Sequence, residues 1–186
     1  DKFLVPDICS KHGKALFMDS DILCLGDLNE LFEINLKDND IAAKKSAYSE
    51  DEWGTSVLLF DCRKFNLNLN KCFEFIKEGK YSKNDLLMFT KKFRSFHNIK
   101  IKSYDDKWNS FDYYDKDTRL LHYTNLHQQP WKYHNNKYGK IWFKYFFECV
   151  NKKIITDEDI QKSIDRSYVR QDIMDGNDLS IKKLLI

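Results

Sequence analysis

Residues 14–28 read KALFMDSDILCLGDL, so two carboxylates, Asp19 and Asp21, stand two positions apart directly after an apolar run. If residues 14–18 form a buried strand, the pair lies at its polar rim. Hard cations such as Mg²⁺ and Mn²⁺ take oxygen ligands and share them with phosphates. Open α/β sheets gather such ligands beyond the ends of their strands. A loop calcium site fits poorly, because Ile22, Leu23 and Cys24 fall where oxygen ligands and a glycine are wanted. The second chemical segment is RLLHYTNLHQQPWKYH, residues 119–134, in which His122 closes a short apolar run. A neutral imidazole there completes a two-carboxylate, one-histidine set suited to an Mn²⁺-type ion; taken alone, His122 reads more readily as an ordinary hydrogen-bonded histidine. His127 and His134 read as exposed loop residues. Pro130-Trp131 fixes a turn and offers an aromatic wall, a feature shared with simple core.

The elements that must position these residues follow from local pattern. Residues 14–18 and 56–61 read as strands, and Asp27 as the N-cap of a short helical turn. Phe65, Leu69, Cys72, Phe73 and Ile76 fall at helical spacing within 63–78, with Gly79 as the stop. A further helix is expected over 84–93, and strands over 97–101 and 118–122. Tyr138, Ile141, Trp142, Tyr145, Phe146 and Cys149 mark an amphipathic helix, and Thr156 to Asp159 a capping-box start to another. The alternation implies an α/β fold with a mostly parallel sheet flanked by helices. Residues 1–150 form the main domain in this reading, and 151–186 a helical extension with a polar tail. The tail after Arg170 is expected to fray, apart from Leu184-Leu185-Ile186.

Composition narrows the function. Lys+Arg 31 against Asp+Glu 29 leaves a net charge of +2, with the signs interspersed, which argues against a protein that grips nucleic-acid phosphates. No apolar run approaches the roughly 18 residues of a membrane span. The five cysteines are odd in number and lack zinc spacing, which points to a reducing, cytoplasmic setting with the thiols as core filler. Lys152, Lys153, Lys182 and Lys183 are compatible with peripheral contact at an anionic membrane, although scattered lysines are usually just solvated.

Three segments in one order resemble the family 8 glycosyltransferases of the GT-A, Rossmann-like fold. KALFMDSDILCLGDLNELF is similar to their metal-binding segment, EWGTSVLLFDCRKF to the strand and helix that follow, and HYTNLHQQPW to their later His…Pro-Trp segment. The likeness extends over about residues 1 to 150, and the helical run from Tyr138 to Arg170 looks like the C-terminal part of bacterial members. The resemblance implies retaining transfer of a sugar from a nucleotide-sugar, usually a UDP-sugar, to a glycan or other hydroxyl acceptor, with Mn²⁺ or Mg²⁺. Carried over, Asp19, Asp21 and His122 hold the cation. Asp85 of Asn84-Asp85 stands at the acidic position near the transferred sugar, where it orients that sugar or stabilises the anomeric centre; the same pair reads equally as a helix N-terminus. Thr55, Ser56 and Asn84 would face the sugar, with Gln129 and Trp131 on the donor side.

The sequence also departs from the family. The His-to-Pro-Trp segment is one residue longer, Asn125 or Leu126 stands at the usual glycine, and Gln129 replaces the lysine that meets the pyrophosphate. Gly54-Thr55-Ser56 replaces an Asn-Ser-Gly type sequence. Only 18 residues precede Asp19, whereas the family carries nucleotide-binding strands before its DxD. A sheet without those strands exposes an apolar edge, so the isolated chain is expected to be poorly soluble or oligomeric. The competing reading is a non-catalytic carbohydrate- or nucleotide-binding module that kept the fold. A nuclease or phosphatase metal site lacks an accompanying basic strand-tracking patch. A purely structural reading takes Trp53, Trp108, Trp131 and Trp142 as core and the DSD as a solvated turn.

Overall fold

The computed structural model describes residues 2–47 and 49–174. The expected Leu184-Leu185-Ile186 and the lysines at 182 and 183 lie outside them. A 3₁₀ turn (Lys2–Leu4) leads into α1 (Val5–Ile8), β1 (Lys14–Met18), β2 (Ile22–Cys24), α2 (Leu28–Phe32), β3 (Ile41–Lys45) and β4 (Trp53–Asp61). Then come α3 (Leu69–Lys77), α4 (Lys83–Leu87), α5 (Lys91–His97), β5 (Ile101–Ser103), β6 (Ser110–Phe111), β7 (Leu120–His122), α6 (Gly139–Asn151) and α7 (Asp157–Asp165). The chain divides into two compact units, one built from residues up to 110 with 117–121, the other from 111–116 with 122 onward.

The main sheet of the first unit has the order β1-β4-β3-β5. β4 is central because its run Val57-Leu58-Leu59-Phe60 is apolar on both faces, and all four side chains are fully buried. Alternate residues serve different cores. Leu58 and Phe60 join Phe65, Phe89 and Phe93 on one face, and Val57 and Leu59 join Leu31, Tyr104, Trp108 and Leu120 on the other. Each such side chain contributes roughly 2–3 kcal/mol of burial.

The expected parallel character is corrected. In this sheet β1 and β3 both pair antiparallel with β4, and the β3–β5 pair is parallel. The stretch 46–52 between β3 and β4 is short enough for a hairpin-type return and too short for the crossover that parallel strands need. The helix expected over 63–78 begins only at Leu69, where Asn68 accepts from the Lys71 amide, and ends before Gly79, whose φ of +70° stops it. The helix expected over 84–93 is two helices, broken at Phe89 (φ +45°) and restarted by Thr90 as N-cap. The strand expected over 97–101 starts later, because α5 runs to His97 and Asn98 ends it in the left-handed region.

In the second unit, α6 and α7 bring together Phe143, Phe146, Ile160 and Ile173, with Trp131 and Trp142 packed alongside. Thr156 and Asp159 form the expected reciprocal capping box of α7. The chain just after Arg170 does not fray as expected: Ile173 is buried and its amide bonds the Arg170 carbonyl at 3.3 Å. No helix among the described residues is long and apolar enough to cross a membrane.

Candidate metal and donor-binding site

Asp19-Ser20-Asp21 is the turn that joins β1 to β2. The β1–β4 ladder ends at Met18↔Val57, and the Asp19 amide adds one further bond to the Ser56 carbonyl at 2.8 Å. That bond anchors the first carboxylate to the central strand. β2 orders next to β7, and both Leu25 and Gly26 donate to the Arg119 carbonyl, at 2.8 and 3.2 Å. Arg119 leads into Leu120-Leu121-His122, so the turn that follows β2 sets the path of the strand ending in the histidine. Gly26 sits tight at this crossing: a β-carbon there would lie 2.1 Å from Cδ of Arg119, which would have to move.

One ligand atom from each of Asp19, Asp21 and His122 lies within 4.8 Å of the others. His122 is buried and Asp21 half-buried. The Phe111 ring packs edge-on against the imidazole at 5.4 Å between centroids, and the Asp112 amide bonds the His122 carbonyl at 2.8 Å. The ring contact restricts the imidazole and the backbone bond fixes the end of its strand, both of use to a ligating histidine. Two carboxylate oxygens and an imidazole nitrogen at such spacing are a donor set for a hard or borderline divalent ion, with positions left over for phosphate oxygens.

The remaining sequence candidates occupy varied places. Thr55 is buried on β4; its hydroxyl donates to the Leu87 carbonyl at 2.8 Å and accepts from Lys2 Nζ at 2.5 Å. Ser56, half-buried, offers its carbonyl to Asp19. Asn84 is exposed on α4. Asp85 is held by protein donors on both oxygens: the Ser82 amide at 2.7 Å and hydroxyl at 2.6 Å on one, the Thr90 hydroxyl at 2.7 Å on the other. Those bonds, those of Ser82 first, hold its carboxyl below the usual range. Gln129 is buried and donates to the Tyr123 carbonyl at 3.2 Å, and Trp131 packs edge-on to Tyr123 and tilted against Trp142. The structure therefore brings Asp19, Asp21 and His122 together and binds Thr55 to the end of α4. Asp85 serves as a capping residue, and Gln129 and Trp131 sit within the packing of the second unit.

Two lysines escaped the sequence reading. Lys2 is partly buried against Thr55, and its proximity to Asp19 partly offsets the burial that lowers its pKa. Lys44, buried at the end of β3, donates to the Asn109 carbonyl at 2.9 Å and lies 3.6 Å from Asp106. Register places Lys44 opposite Gly54, at the same end of the sheet as Ser56 and Asp19. The available signal for Lys44 was an apolar run, Ile41-Ala42-Ala43, that stops at a charge, as β1 stops at Asp19.

The acidic turn follows β1 of the four-stranded mixed sheet and the histidine ends β7 of the three-stranded one, in a fold of the GT-A type. The fold matches the crystal structure of the glycosyltransferase GlyE of Streptococcus pneumoniae TIGR4 with a TM-score of 0.60 at 22% identity, covering 88% of this chain and 45% of that one. It also matches the galactosyltransferase LgtC, solved in complex with donor and acceptor sugar analogues, with a TM-score of 0.61 at 15% identity, covering 84% and 68%. Residues 2–85 match the family model for glycosyl transferase family 8, so the resemblance read from the sequence is borne out over that stretch. By sequence, the chain is 34% identical to S. pneumoniae GlyE over 65 residues and 26% identical to S. pneumoniae glycosyltransferase GlyF over 155 residues. Those alignments cover 34% and 73% of this chain but only 16% and 38% of the two relatives. The chain thus spans less than half the length of the curated relatives it matches.

Proposed function

We propose that this chain contributes the cation and diphosphate end of a nucleotide-sugar site, in a protein that transfers a sugar from a UDP-sugar to a glycan or other hydroxyl acceptor with retention. The observation that carries the reading is the convergence of Asp19, Asp21 and His122 within 4.8 Å. That donor set fits Mn²⁺ or Mg²⁺, the three residues being its protein ligands. When bound, the cation supplies charge neutralisation for the departing diphosphate.

The chain's own residues supply the rest. The Asp19 amide bond to Ser56 holds one ligand at a fixed position on β4. Lys2 adds a cation beside Asp19 and Thr55, suited to an anionic donor. Thr55, Ser56 and Asn84 line the sugar side. Asp85 acts here as a positioning residue: it locks Ser82 to Thr90, and with them the Leu87 carbonyl that Thr55 engages. Gln129 holds the loop of the second unit through Tyr123, and Trp131 its packing. The test is titration of UDP with and without Mn²⁺ into the intact protein, alongside Asp21→Asn. Mn²⁺-dependent binding that drops at least ~100-fold in the variant supports the site; binding indifferent to Mn²⁺ or to Asp21 overturns it.

One observation favours a second reading, a donor-binding module without turnover. Both oxygens of Asp85 are engaged by Ser82 and Thr90 in the manner of a helix cap. That reading predicts UDP binding without metal-dependent release of UDP from a UDP-sugar, and release well above background removes it.

A further inference from the structure

We infer that Cys9 and Cys62 form a reversible redox pair, closing to a disulfide when the protein meets a peroxide. The inference goes beyond the glycosyltransferase reading and does not rest on it. Both residues are free thiols packed on the same core: Cys62 fully buried, Cys9 at its margin and partly exposed. Their thiols stand within hydrogen-bonding reach of each other.

The backbone explains why they meet. Cys9 caps α1, its amide bonding the Val5 carbonyl at 3.0 Å. Ser10 and Lys11 then take left-handed conformations, with φ of 51° and 57°, and turn the chain back. Gly13 follows at φ +64°, and its carbonyl accepts the Cys62 amide at 3.0 Å before β1 begins with Lys14 opposite Asp61. Lys11 secures the same crossing by donating to the Phe65 carbonyl at 3.3 Å. Segment 9–13 is thus laid against 61–65 by two bonds, Gly13 to Cys62 and Lys11 to Phe65, which brings Cys9 to the side of Cys62. Burial and the adjoining Cys9 push the Cys62 thiol up to about 11, which leaves the more accessible Cys9 as the first thiol to react.

The chemistry balances. The Cys9 thiolate attacks one peroxide oxygen and the O–O bond breaks; hydroxide leaves, takes up a proton and becomes water, and Cys9 is left as a sulfenic acid. The Cys62 sulfur then attacks the Cys9 sulfur, the S–S bond forms, the S–O bond breaks, and a second water leaves with the Cys62 proton. Two thiols are oxidised by one peroxide, which is reduced to two waters. Two of the other cysteines are placed differently: the exposed Cys24 donates to the nearby Gly26 carbonyl at 3.3 Å, and Cys72 faces Tyr81 and His97. The bond would tie the N-terminal segment, whose Lys2 reaches Thr55 near the start of β4, to the residue that follows the end of the same strand.

The test uses the intact protein exposed to hydrogen peroxide, denatured, blocked with N-ethylmaleimide and mapped by mass spectrometry without reduction. A linked Cys9–Cys62 peptide is expected, about 2 Da lighter than the two free thiol peptides together. It should vanish on dithiothreitol treatment and in Cys9→Ser, and persist in Cys24→Ser. Cys9→Ser alters a marginal position, so its fold can be checked by circular dichroism, and Cys24→Ser stands as the control outside the pair. Recovery of Cys62 as a maleimide adduct while Cys9 is over-oxidised, or links preferring other cysteines, overturns the proposal.

Discussion

Gly26→Ala tests how the crossing between the segment after β2 and the start of β7 is built. The new β-carbon would meet Cδ of Arg119 at 2.1 Å and its Cβ and Cγ at 3.1 Å each. Cδ belongs to a flexible side chain and can swing aside. Doing so gives up the Arg119 Nη1 bond to the Asp117 carbonyl at 3.2 Å and the ion pair with Glu30 at 3.5 Å. Both partners of that pair are partly exposed, so its loss costs about 0.5 kcal/mol, and the hydrogen bond about as much again. The Arg119 Cβ cannot swing, and relieving its contact moves the backbone by a few tenths of an ångström at about 1 kcal/mol. The variant is therefore expected to lose about 2 kcal/mol, read as a drop of roughly 4–8 °C in Tm or a matching shift in urea midpoint. Arg119→Ala in the same background keeps the Cβ contact and loses the same two bonds, so the double variant should be about as stable as Gly26→Ala alone, roughly 1 kcal/mol better than the sum of the singles in the double-mutant cycle. Full stability in Gly26→Ala, or a double mutant no better than the sum of the singles, would falsify the crossing geometry.

Other predictions address different parts of the molecule. His97 sits among Phe75, Tyr81 and Phe93 with its Nε2 2.6 Å from the Tyr81 hydroxyl, and burial lowers its pKa from 6.5. The unfolded chain therefore takes up the proton first, so this contribution to stability is complete above about pH 6.5 and is lost as pH falls toward the lower folded value. Urea midpoints at pH 7.5 and 5.5 should show that slope, and a His97→Gln variant with an undiminished slope would assign it elsewhere. Thr90→Ala removes both the N-cap of α5 and a donor to Asp85 and should cost about 1–2 kcal/mol in denaturation experiments; a neutral result would mean the cap is unused. Leu58→Ala should cost about 3–4 kcal/mol because the site cannot collapse between a packed sheet and a packed helix layer, as chemical unfolding would show. Lys2→Met should weaken Mn²⁺–UDP binding by about tenfold in calorimetry; unchanged affinity would remove Lys2 from the donor site.

What could be read from the sequence was what local chemistry decides. β1 and the apolar heart of β4 showed as runs ended by acids, and α7 as a capping box. The pair Asp19–Asp21 and His122 was legible because strand ends are visible as abrupt changes from apolar to polar. β3 was not, since Ile41-Ala42-Ala43 is short and alanine is a weak strand former. The break at Phe89 was hidden by an apolar pattern that continues from Leu86 to Phe93 across it. Strand direction was invisible because it depends on pairing partners distant in sequence, and β4 takes its antiparallel neighbours from both sides. Lys2 and Lys44 were passed over because lysines are commonly solvated, and only the fold shows these two buried against Thr55 and Asn109. Asp85 was visible as an acid at a helix start, and its bonds to Ser82 and Thr90 favour that simpler role.

The central position of β4 also sets a timescale. Its amides are bonded to β1 on one side and β3 on the other, beneath side chains sealed from water on both faces. Such a strand opens to solvent only when the whole first unit opens, so its amides should exchange with deuterium more slowly than those of α2 or α4. The Asp19 amide, bonded to Ser56 one step past the end of that ladder, lies at the boundary between the two regimes. Its exchange rate therefore measures how often the acidic turn detaches while the sheet remains intact, which makes that amide a reporter of opening at the ligand end of the fold.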